Sequence, residues 1–218
     1  MARTLYSGTR NASSWSFRAW LALIEQQVEF DEHVVDIRRP QRHGNLARIA
    51  AFSPPGAVPV LVDDGTVIFD SLAIMEYAND IGSGSLLPHD PRGRAHARSL
   101  LAWQHAGLSG LCPRLSFESS FYPDRRPMTP EEVADAHRLF AVWEAELAHS
   151  GGPYLVGELS LADLAFVPTV LRILSHEPNL ESWPLTRSWA ERLIARESVQ
   201  TWLQEASALP VVRLDDYR

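Results

Sequence analysis

The chain has 218 residues, enough for one large domain or two small ones, and its 45% hydrophobic and 22% charged content is that of a folded chain rather than a disordered one. A formal net charge of −7 argues against non-specific nucleic-acid binding, which draws its affinity from a basic surface. All 20 residues counted as Lys or Arg are arginine, which excludes lysine-dependent chemistry such as Schiff-base catalysis, pyridoxal phosphate anchored to lysine and the Walker P-loop.

The single Cys112 forms neither an internal disulfide nor a CxxC site, and no HExxH or trusted histidine spacing is present, so no metal is expected. No apolar run reaches membrane-span length and the N-terminus lacks the order of a secretory signal. The expectation is a cytoplasmic protein with no membrane and no nucleic-acid partner.

Residues 3–7 read as a short strand, and residues 14–26 carry Phe17, Trp20, Leu21, Leu23 and Ile24 at helical spacing. Residues 29–35 read as a second strand. Residues 39–51 read as a helix ending in the breakers Ser53, Pro54, Pro55 and Gly56. Strands over 58–62 and 66–69 flank Asp63, Asp64 and Gly65, a hairpin turn, and Asp70 opens a helix to about Asp80. This order is a small α/β unit over residues 1–81.

Gly82, Ser83, Gly84, Ser85, Pro88 and Pro91 give residues 82–91 linker character. Beyond them strand patterns vanish. Amphipathic stretches over 92–118, 130–148, 160–175, 184–195 and 198–206 make residues 92–218 an all-helical region.

Three short constellations could carry chemistry. Asn11 to Ser16 place hydroxyls between the first strand and first helix, where a serine caps the helix or, with the helix dipole, holds an anion; spacing alone favours the cap. Val58-Pro59 opens a strand, either as an edge device or as a cis bond that frees the preceding backbone for an extended ligand. Asp70 and Ser71 open the third helix, as a cap or as polar groups offered to a ligand.

The order of these signals, followed by an all-helical second domain, resembles the cytosolic glutathione S-transferase family over nearly the whole chain. A fourth match is the capping box in Gly157-Glu-Leu-Ser160-Leu-Ala-Asp163. The resemblance implies a thioredoxin-like N-terminal α/β domain followed by a helical-bundle C-terminal domain. Ser13 to Arg18 are similar to the serine motif of the zeta and related bacterial classes, which makes Ser13 the implied catalytic hydroxyl and Ser14 the alternate.

The family further implies glutathione as co-substrate. Val58, next to Pro59, would pair through its backbone with the cysteinyl unit. Asp70 or a nearby acid would meet the glutamyl ammonium and Ser71 the carboxylate. Many relatives place Lys, Arg or Gln before Val-Pro; here Ala57 stands instead, leaving Arg39, Arg42 and His43 as candidates for the glycyl carboxylate. Trp15, Ser109 and Cys112, with Trp103, Phe117 and Tyr122, are expected around a small hydrophobic electrophile.

Zeta enzymes carry cysteine where this chain has Trp15, and an arginine for the substrate carboxylate falls at Ser175, with Arg172 nearby. Both departures weigh against maleyl isomerisation. The implied reading is therefore a homodimeric, detoxifying transferase. A glutathione-dependent isomerase of the maleylacetoacetate type and a non-catalytic interaction module stand as alternatives.

Overall fold

Leu5, the lone aliphatic residue of residues 3–7, is fully buried in the sheet that organises the first half of the chain. The computed structural model describes residues 3–108 and 110–213. Contacts divide the chain into one unit of Met1–Ser85 with Thr201–Val212 and another of Leu86–Gln200 with Arg213–Arg218.

In the first unit the order is β1 (Arg3–Gly8), α1 (Ser14–Glu25), β2 (Asp31–Val35), α2 (Arg42–Ala50), β3 (Val60–Asp63), β4 (Thr66–Phe69) and α3 (Ser71–Ile81). The strands lie in the order β2-β1-β3-β4. β1 and β2 are parallel, so the chain must cross over between them, and α1 makes that crossing. β3 is antiparallel to both β1 and β4. The β3–β4 connection is the two-residue turn Asp64-Gly65, with φ of +45° and +84°, the left-handed pair that a tight hairpin needs. Ile49 of α2 packs with Val35 and Val60, while α1 packs against α3.

The second unit holds α4 (Pro91–Gly107), α5 (Leu111–Arg114), a 3-10 turn (Glu118–Phe121), α6 (Pro130–Ser150), α7 (Leu161–Leu174) and α8 (Pro184–Ile194). The last helix, α9 (Glu197–Ser207), contributes its residues from Thr201 onward to the first unit, whereas the sequence pattern assigns all of it to the helical region. Among the described residues no helix is long and apolar enough to cross a membrane.

Two sequence expectations change. The stretch 92–118 is not one helix: it stops at Gly107 and is followed by the one-turn helix α5, because Gly107, Gly110 and Pro113 lower helix propensity there. A side chain at position 107 would also force Trp103 to shift, since a Cβ there would stand 2.5 Å from its Cδ1. The second helix starts at Arg42 rather than residue 39, as Pro40 disfavours helical backbone in the residue before it.

Asp163, fully buried, ties the helical unit together. Its Oδ2 accepts from the Ser160 N–H at 2.9 Å and the Ser160 hydroxyl at 2.6 Å, closing the capping box. Its Oδ1 accepts from the Leu155 N–H at 3.0 Å and from Nε1–H of Trp189 at 2.9 Å. Burial pushes this carboxyl up, and the four donors oppose that push. Asp163→Ala strands several buried donors and is expected to cost about 3 kcal/mol or more, measured as a fall in the urea midpoint.

A second capping box starts α6, where Thr129 accepts from the Glu132 N–H at 3.3 Å and the Glu132 carboxylate returns to the Thr129 N–H at 2.8 Å. Arg126 forks onto the same carboxylate at 2.7 and 2.8 Å. The Arg126 guanidinium first, and then the Thr129 N–H, hold Glu132 below its ordinary value of 4.5 against the opposing effect of burial. A depressed carboxylate contributes stability that is complete above the unfolded value and lost as pH falls through the lower folded one. Glu132→Gln is therefore expected to destabilise at pH 7, with the urea-midpoint difference from wild type shrinking towards pH 3.

Candidate functional site

Three chain segments of the first unit converge where β1 ends. Gly8, the last residue of β1, leaves room for two neighbours: a Cβ built there would lie 2.7 Å from Ser13 Cβ and 3.0 Å from Val58 Cγ2. Ser13 caps α1. Its Oγ accepts from the Ser16 N–H at 3.2 Å and donates to Ser16 Oγ at 2.8 Å, and Ser16 Oγ in turn accepts from the Gly8 N–H at 2.8 Å. The cap inferred from the sequence is present, and it leaves the Ser13 hydroxyl at the positive end of a helix.

The Val58-Pro59 bond is cis. At the third segment Asp70 adopts φ of +75°, a region that side chains other than glycine rarely occupy and that clusters at ligand sites. Its Oδ1 accepts from the Leu72 N–H at 2.8 Å, capping α3. Ser71, the first residue of α3, is 2% exposed, and its Oγ has no hydrogen-bond partner among the described residues.

A pocket of about 210 Å³ is lined by Trp15, Val58, Pro59, Phe69, Asp70 and Ser71, with Pro55 and Ala57 completing its wall. The structure thus brings together Trp15, Val58, Pro59, Asp70 and Ser71. Ser13 sits beside Val58 across Gly8 without lining the pocket, and Ser14, the first residue of α1, is buried.

Arg42 and His43 are exposed at the start of α2 and do not line the pocket. Both lie in the first turn of α2, whose buried residue is Ile49. Cys112 is half-buried in α5 of the second unit, and Ser109 lies outside the described residues. Phe117 and Tyr122, expected near an electrophile, are buried within the helical unit.

Sequence reasoning missed Phe69, whose 40% exposure at the end of β4, immediately before Asp70, makes it a wall of the pocket. The signal available was a large aromatic residue adjoining a polar helix cap. Among the described residues no group of three or more His, Cys, Asp or Glu is placed to hold a metal.

Comparison with known proteins identifies the family. Residues 12–81 match the model of the glutathione S-transferase N-terminal domain and residues 106–197 that of the C-terminal domain. A probable maleylacetoacetate isomerase of Caenorhabditis elegans is 38% identical over 196 residues, covering 87% of this chain and 87% of that protein. The chain belongs to the glutathione S-transferase family.

Other family members extend the comparison. Maleylacetoacetate isomerase of Mus musculus is 29% identical over 198 residues, covering 90% of this chain and 89% of that protein. The fold is shared with a diazinon-metabolizing glutathione S-transferase of Bombyx mori, at TM-score 0.74 and 22% identity, covering 95% of this chain and 98% of that one. It is also shared with a Burkholderia glutathione transferase homolog solved with bound glutathione, at TM-score 0.70 and 23% identity, covering 96% and 100%.

Gly8→Ala tests the convergence. The added methyl has to displace Ser13 or Val58, and a loss of about 1–3 kcal/mol is expected in a thermal or urea melt.

Proposed function

We propose that this chain binds reduced glutathione in the first-unit pocket, stabilises its thiolate with the Ser13 hydroxyl and adds the sulfur to an electrophilic carbon of a small hydrophobic molecule. The observation that carries the reading is the buried Ser71 hydroxyl at the N-terminus of α3, which has no hydrogen-bond partner among the described residues. Left unpaired, such a group is costly; a carboxylate meeting both it and the helix end removes the cost. Glutathione supplies that carboxylate at its γ-glutamyl end. Asp70 beside it suits the ammonium of the same unit, and the Val58 backbone suits the cysteinyl amide.

The chemistry asked of Ser13 is modest. A free thiol titrates near 8.5, so little is thiolate at neutral pH. Rotation about one torsion turns the Ser13 proton from Ser16 Oγ to the sulfur, and the dipole of α1 adds to the effect. The thiolate then supplies the electron pair of the new S–C bond. That pair displaces a leaving group or, on a double bond, shifts density to a carbon that takes up a proton.

Arg42 and His43 are left out of this contact set, and the glycyl carboxylate faces the Ala57 side of the pocket. A cytoplasmic setting, a role in detoxification and a homodimeric state belong to the same proposal, supported by membership of the family. A second reading, glutathione-dependent isomerisation of maleyl compounds, is favoured by the names of the two curated relatives. Trp15 in place of cysteine and Ser175 in place of arginine weigh against it.

A glutathione titration followed by thiolate absorbance tests the proposal. The bound thiol is expected to titrate at least one unit below free glutathione. Ser13→Ala should abolish that shift and Ser14→Ala should retain it. Ser71→Ala should weaken binding about tenfold, or about 1.4 kcal/mol, with the shift intact. Absence of saturable binding would overturn the proposal, and turnover of a maleyl compound without loss of glutathione would select the isomerase.

A further inference from the structure

The loop that delivers Ser13 is held far more elaborately than a strand-to-helix turn requires. The N–H groups of Ala12 and Ser13 both donate to the Thr9 carbonyl, at 2.9 and 3.0 Å, which closes the turn. The three residues before Ala12 are all polar and more than nine-tenths buried. Thr9 Oγ1 accepts from the Ile37 N–H at 3.0 Å and donates to Asp36 Oδ1 at 3.2 Å. Asn11 Nδ2 donates to the Pro210 carbonyl at 3.0 Å.

Arg10 is the centre of this arrangement. Its Nη1 and Nη2 fork onto Glu32 of β2 at 2.8 and 2.6 Å, and its Nε donates to Glu205 of α9 at 2.8 Å. The guanidinium lies 4.1 Å from the Trp202 ring centroid and 5.2 Å from that of Trp20. Trp202 Nε1–H donates to the Arg10 carbonyl at 3.1 Å, and the Trp202 ring stacks on Phe17 of α1 at 4.6 Å. Trp202 and Glu205 are three residues apart, so one face of α9 presents both.

Burying an arginine against one largely buried carboxylate, Glu32, and one half-exposed carboxylate, Glu205, gains little net stability over apolar packing. What it fixes is geometry. The fork is planar and bidentate, and the indole faces restrict the guanidinium further. The consequence concerns a hydroxyl whose hydrogen bond to sulfur tolerates only fractions of an ångström.

We propose that Arg10 is a positioning residue for Ser13, and that Trp202, Glu205 and Pro210 of the segment Thr201–Val212 form the clamp that holds it. The C-terminal segment thereby sets how acidic bound glutathione becomes. This rests on the reading of Ser13 as the group that stabilises the thiolate.

Glu205→Gln is the primary test, because the Glu205 side chain is 51% exposed and its loss leaves the core intact. Asn11→Ala, which changes no charge, is the second. In both, the thiol of bound glutathione is expected to titrate about half a unit to one unit higher than in wild type, with the dissociation constant changed less than twofold. Amide exchange at Ala12 and Ser13 should quicken at least fivefold.

The sign separates the clamp from simple electrostatics. Removing the Glu205 charge would by Coulomb's law make the thiol more acidic, not less. An unchanged or lowered thiol value with unchanged exchange overturns the proposal. If wild-type protein fails to acidify glutathione at all, the functional reading and the catalytic half of this proposal fall together. The exchange rates then decide the clamp alone: quickened exchange sustains it and unchanged exchange ends it.

Discussion

A side chain at the end of β1 would drive apart the serine turn and the Val58-Pro59 segment, and Gly8 supplies none. The close approach that follows places Ser13 and Val58 against the same backbone, with the helix ends of α1 and α3 in the same unit. The remainder of the first unit serves this convergence. The parallel β1–β2 pairing sends the chain through α1, and the antiparallel β3–β4 hairpin returns it to Asp70.

The Ser13 hydroxyl caps α1, and in the proposed reading the same atom also serves the chemistry. As a cap it satisfies the Ser16 N–H, which every helix start requires in some form. Its proton is carried on a single rotatable bond, so redirecting it disturbs no backbone. Ser71 differs: its hydroxyl is buried and has no partner among the described residues, and in the proposed reading a ligand carboxylate meets it.

Local signals in the sequence were legible where partners lie a few residues apart. The Ser160–Asp163 box, the Ser13 cap and the Asp64-Gly65 turn are of this kind, as is the order of segments that marks the family. Arg10 was not legible, because Glu32 is 22 residues away and Glu205 is 195 residues away. The break of the fourth helix at Gly107 was hidden by continuous amphipathic spacing. Arg42 and His43 were named from position alone, and both are exposed at the start of α2, outside the lining of the pocket.

A structure of the chain crystallised with reduced glutathione would test the central claim most directly. The expected result places a glutathione carboxylate on Ser71 Oγ and the α3 amide groups, the cysteinyl backbone against Val58, and the sulfur within hydrogen-bond reach of Ser13 Oγ. Glutathione bound elsewhere, or its sulfur joined to Cys112 with Ser71 still unpartnered, would contradict the account.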